Sequence, residues 1–135
     1  MTTNMILVIE DNPFTRKVVR AALEANGWRV VMAENGRDGI TNMAEEKPDL
    51  VLQDLMLPDI DGLELVKILR GLPEREDVPI LAFSSFITKL EAARSEPGTF
   101  QGFITKPIEP SELVAIVAEE LSRPKGMESE CPPQV

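Results

Sequence analysis

Glu10 and Asp11, Asp54, Ser84 and Lys106 each follow, directly or within a residue or two, a short apolar run. If those runs are parallel strands, their carboxyl ends share one edge of a sheet, and residues far apart in sequence become neighbours there. Three carboxylates gathered at one place repel each other, and the cost is lifted by protonating one or by holding a cation. None of the candidate ligands is histidine or cysteine, so the donors are oxygens, which suit a hard ion such as Mg2+ or Mn2+. With a divalent ion and Lys106 present, the charges of Glu10, Asp11 and Asp54 are neutralised, and a phosphoryl group can approach. Asp54 is then the natural nucleophile, forming an acyl phosphate. Lys106 and the ion would neutralise charge on the transferring oxygens, and the Ser84 hydroxyl would donate to one of them.

The elements that must position these residues can be read from periodicity. Strands are predicted over Met5–Ile9, 28–33, Leu50–Asp54, 80–83 and Gly102–Thr105. Helices are predicted over 13–26, 36–46, 62–69, 88–95 and 111–121, the fourth being weakly patterned. The first is signalled by Asn12 as a cap and Pro13 in the first turn, with Gly27 as a stop. Its buried side is read as Val18, Val19, Ala22 and Leu23; the second helix is apolar at Ile40, Met43 and Ala44, and the last at Leu113, Ile116, Val117 and Leu121. Asp59 and Asp61 read as turn-making and helix-capping residues. Five strands alternating with five helices imply an α/β fold, a three-layer doubly wound five-stranded parallel sheet of the flavodoxin-like (βα)5 type.

Composition narrows the function. A chain of 135 residues suits one domain, expected over 1–122, and the proline-rich, polar segment 123–135 reads as a disordered tail or linker stub. A net charge of −9 speaks against a nucleic-acid or anionic-membrane surface, both of which need a basic face. The absence of histidine excludes a phospho-histidine donor, a Ser-His-Asp triad and a histidine-ligated metal. The lone Cys131 cannot form an internal disulfide, no apolar run could span a bilayer, and no secretory segment is evident, so a cytoplasmic location is expected.

Two rivals share this fold. A flavodoxin-like cofactor-binding domain needs hydroxyls and amides in its first loop, where Glu10 and Asp11 would repel a phosphate. An aspartyl-nucleophile phosphatase needs an acid two residues after the nucleophile, where Met56 stands. Bound flavin colour and phosphatase turnover would separate them from a switch.

The ordered set E-D-N at 10–12, D-L-M-L-P-D-I-D-G at 54–62, F-S-S at 83–85 and F-I-T-K-P at 103–107 resembles the receiver domain of bacterial two-component response regulators, over about 5–121. The resemblance implies that Asp54 accepts a phosphoryl group from a sensor histidine kinase or phosphotransfer protein. It implies that Glu10, Asp11, Asp54 and the Met56 carbonyl hold Mg2+ (or Mn2+), and that Ser84 and Lys106 sense the phosphoryl group. Phe103 falls on the position of an aromatic that changes rotamer on activation, and Lys106–Pro107 on that of a cis peptide. Such a protein is a switch rather than a turnover enzyme. It acts on a downstream protein partner or fused output domain, and a phosphorylation-promoted dimer is compatible with it. Met56 and Phe86 depart from the polar residues often found near the acyl phosphate; being apolar, they cannot orient an attacking water, so slow self-dephosphorylation is expected. The alternative within the family is a degenerate receiver, used as a phosphorylation-independent docking module.

Overall fold

The five apolar runs pair as a single parallel sheet: β1 (Met5–Ile9), β2 (Arg29–Ala33), β3 (Leu50–Asp54), β4 (Ile80–Ser84) and β5 (Gly102–Thr105), in the order β2-β1-β3-β4-β5. This computed structural model of the chain describes residues 3–123. The tail reading for 124–135, Cys131 included, lies outside the described residues. β1, β3 and β4 are buried at every position, as central strands covered on both faces must be.

Helices cover both faces. On one, α1 (Pro13–Ala25) and α5 (Pro110–Ser122) press Val19, Leu23, Leu113 and Val117 onto Ile6, Val8, Leu50, Leu52, Leu81 and Phe83. On the other, α2 (Gly36–Glu46) and α3 (Gly62–Arg70) press Met43, Leu65, Val66 and Leu69 onto Leu7, Ile9, Val51 and Ile80. The odd and even residues of β1 and β3 divide between the two cores, as the pleat requires. A smaller cluster of Leu55, Ala82, Leu90 and Ala93 lies under α4 (Ile87–Arg94). No helix of the described residues is long and apolar enough to cross a membrane.

Local signals set the helix ends. The Asn12 side chain accepts from the amides of Phe14 and Thr15, that of Asn35 from Asp38, and that of Asp61 from Leu63. Gly39 lets α2 approach β1, since a Cβ there would lie 2.6 Å from the Ile9 side chain.

Three stripe residues depart from expectation. Val18 and Ile116 are 38% and 36% exposed, and Ala44 is exposed. Each long helix touches its sheet mainly along an i, i+4 line, Val19–Leu23 in α1 and Leu113–Val117 in α5. The apolar stripe is wider than the contact. The loop after α3 is more ordered than its polar composition suggests. Arg75 is 6% exposed, and its guanidinium donates to the Met43 and Ala44 carbonyls at 2.8 and 3.3 Å, close to the C-terminal end of α2, where a cation is favoured.

Candidate functional site

The parallel register brings the strand ends together: Ile9 lies beside Gln53, Asp54 beside Phe83, and Ser84 beside Thr105. Glu10 and Asp11 leave β1, Asp54 ends β3, Ser84 ends β4 and Lys106 follows β5, all at one edge. Glu10, Asp11 and Asp54 offer carboxylate oxygens that all lie within 4.8 Å of one another. Glu10 is 1% exposed and Asp54 3%, whereas Asp11 faces solvent.

Lys106 ties the buried pair together. Its Nζ donates to Glu10 Oε1 at 2.5 Å and to Asp54 Oδ2 at 3.2 Å, and lies 4.8 Å from the centre of the Phe83 ring. The Lys106 amide donates to the Ser84 carbonyl at 2.9 Å, and the Lys106–Pro107 peptide is cis. Around the acids, main-chain groups set orientation: the Asn12 amide donates to Glu10 Oε2 at 3.1 Å and the Met56 amide to Asp54 Oδ1 at 2.9 Å. Arg16 donates to the carbonyls of Glu10 and Asp11 at 2.9 and 3.0 Å, pinning the loop that carries them.

Burial pushes the Glu10 carboxyl up to about 7; the adjoining Asp54 carboxylate adds to the rise, and Lys106 pulls the other way. With all three acids ionised, Lys106 leaves two negative charges uncompensated in an all-oxygen donor set. A hard divalent cation such as Mg2+ fits that set in both charge and ligand type.

A cleft of about 260 Å³ opens over these groups, lined by Glu10, Asp11, Asp54, Met56, Phe86 and Lys106 among the expected residues. Asn12, Thr15 and Ser85 line it as well, none of them expected as a site residue from the sequence. Their positions were legible, in the first turn of the first helix and beside Ser84, but a loop residue's direction is not coded by any period. Ser84 is buried and does not line the cleft; its Oγ accepts from the Phe86 amide at 3.0 Å, which leaves the hydroxyl proton free to donate elsewhere. Phe103 lies away from the cleft and is half-buried. Its ring meets Phe100 edge-on at 5.9 Å, and the Arg94 guanidinium stands 4.9 Å from its centre.

Residues 6–118 match the family model of the response regulator receiver domain. Among curated relatives, the polar-differentiation response regulator DivK of Brucella anthropi is 30% identical over 116 residues, covering 86% of this chain and 94% of its own. A crystal structure of a response regulator from Chloroflexus aurantiacus aligns with a TM-score of 0.83 at 27% identity, over 90% of this chain and all of that one. The receiver domain of a sensor histidine kinase from Pseudomonas aeruginosa, solved with a magnesium ion coordinated in its active site cleft, aligns at 0.80 and 26% identity over 90% of this chain.

Proposed function

We propose, from the premise that this chain belongs to the response regulator receiver family, that it is a phosphorylation-dependent signalling switch with Asp54 as the phosphoacceptor. Signalling rather than turnover is the work of that family, which does not favour the flavodoxin-like alternative, and the filled positions Glu10, Asp11, Asp54, Ser84 and Lys106 do not favour a docking-only one. The observation that carries the reading is the Lys106 ammonium bridging Glu10 and Asp54 at the mouth of a cleft beside Asp11.

Glu10, Asp11, Asp54 and the Met56 carbonyl would hold Mg2+ (or Mn2+), which supplies charge neutralisation for phosphoryl transfer. Asp54 Oδ attacks the phosphorus of a phospho-histidine on a sensor kinase or phosphotransfer protein, the P–O bond forming as the P–N bond breaks. Lys106 follows the new negative charge, relinquishing part of its hold on Glu10. The Ser84 hydroxyl turns its proton toward a phosphoryl oxygen, and the loop after β4 moves with it. Phe103 then repacks into the space released, so the α4–β5–α5 face changes shape. A downstream protein or fused output domain reads that face, and a phosphorylation-promoted dimer would use it too. We take the receiver as residues 1–122 and its compartment as the cytoplasm, with no direct nucleic-acid or membrane contact. Met56 and Phe86, 43% and 53% exposed at the cleft, offer no hydrogen bond to a hydrolytic water and so prolong the signal.

Incubation with acetyl phosphate and Mg2+, read by intact mass, should give one phosphoryl adduct that Asp54→Ala and EDTA each abolish. No adduct, or one that survives Asp54→Ala, would sink the reading. In the same assay the adduct of a Met56→Asn, Phe86→Ala double variant should decay faster, on the order of tenfold if water orientation is restored. Equal lifetimes would exclude a tuning role for these two positions.

A further inference from the structure

A central strand of a parallel sheet is expected to be apolar throughout, because both of its faces are covered. β3 breaks that rule at Gln53, which is wholly buried and paired on both sides, with Ile9 of β1 and Ala82 of β4. Strand alternation turns its side chain to the face opposite Asp54, the same face as Val51, toward α2 and α3. There Nε2 donates to the Gly62 carbonyl at 2.8 Å, and no donor of the described residues reaches Oε1. A leucine would fill such a slot without an orphaned acceptor, so stability alone does not account for the amide.

The bond closes the loop that leaves Asp54. Gly62 lies against the first residue of that loop so tightly that a Cβ would fall 2.7 Å from Leu55 Cα and 2.8 Å from its carbonyl oxygen. Between these two ends, Met56 is bridged to Asp61 and gives its amide to Asp54 Oδ1. Holding Gly62 therefore holds both limbs of the loop 55–61, and with them the plane of the peptide that carries the Met56 carbonyl.

We infer that Gln53 is a positioning residue for the cation site. Its buried amide clamps Gly62 against the start of the 55–61 loop, fixes the Met56 carbonyl, and so sets the affinity for Mg2+. The inference rests on the receiver reading above and adds to it a residue that touches neither the metal nor the phosphoryl group. Groups that orient metal ligands from behind typically change affinity by about 10–100-fold when removed. The expectation here is the lower end, about tenfold, because one ligand is loosened rather than lost.

Gln53→Met keeps the bulk and removes the amide. Calorimetric titration with MgCl2 should show Kd raised about tenfold, with Tm equal to or above that of the wild type, since an unpaired buried acceptor has gone. Amide exchange at Met56 and Gly62 in metal-free protein should quicken. If Gln53→Met binds Mg2+ as the wild type does, whatever its Tm, the side chain is only structural and the inference is overturned. Gln53→Leu repeats the test should the methionine variant not fold, and failure of both to fold overturns it equally. A wild type that binds no Mg2+ would overturn the receiver reading itself, an outcome visible before any variant is compared.

Discussion

At the proposed cation site, Glu10 is where a proton and a metal would compete. Its carboxyl is buried against Asp54 and titrates near 7 in the metal-free protein, well above its ordinary value of 4.5. Because the folded state takes up this proton first, the metal-free domain gains stability as pH falls from about 7 toward 4.5, and loses it as pH rises through 7. A cation needs the ionised form, so its affinity runs the other way. Lowering the pH from about 8 to 6 should weaken Mg2+ binding about tenfold through this one group. Titration in buffers of different ionisation enthalpy should show proton release that grows as the pH drops below 7; affinity that is flat over this range would show that Glu10 is not a ligand. The acidic pair Glu10–Asp11 was plain in the sequence. Which member is buried was not, because that depends on Lys106 arriving from 96 residues away.

At the scale of elements, Asp59 shows how a loop can hold a helix other than its own. It reads as a local turn residue beside Asp61, and Asp61 does cap α3. Asp59 instead accepts from the amides of Gly36 and Arg37 at 2.8 and 3.0 Å, at the start of α2. What burial it has opposes ionisation, but these amides and its own loop amides outweigh that and hold its carboxyl below the ordinary value. Asp59→Ala should therefore cost about 1 kcal/mol in urea unfolding, the usual loss for an N-terminal cap. Asp59→Asn, whose Nδ2 cannot accept, should keep only the part its single oxygen supplies, and an alanine variant as stable as the wild type would mean that Asn35 alone suffices. Sequence spacing finds caps only a few residues away. A cap that crosses 23 residues becomes visible only when α2 and the β3–α3 loop are packed side by side.

For the whole molecule, the proposed cation site would be a source of linkage. A ligand that binds only the folded state stabilises it by about 2.7 kcal/mol at a hundred times its Kd, enough for a rise of several degrees in Tm in a domain of this size. Saturating Mg2+ should raise Tm by that much at pH 7.5, EDTA should reverse it, and Asp11→Ala should blunt it without unfolding the protein, since Asp11 faces solvent. A Tm indifferent to Mg2+ would argue against a preformed cation site. The sequence by itself determined the five-fold alternation of strand and helix and the residues at the strand ends, because the periods of 2 and 3.6 and the helix caps are local. Only the tertiary structure decided the order β2-β1-β3-β4-β5, the burial of Glu10 beside Asp54, the turning of Ser84 Oγ to the Phe86 amide and the reach of Gln53 to Gly62. Those are contacts between elements, and they exist only once every strand has taken its register and the helices have closed over both faces.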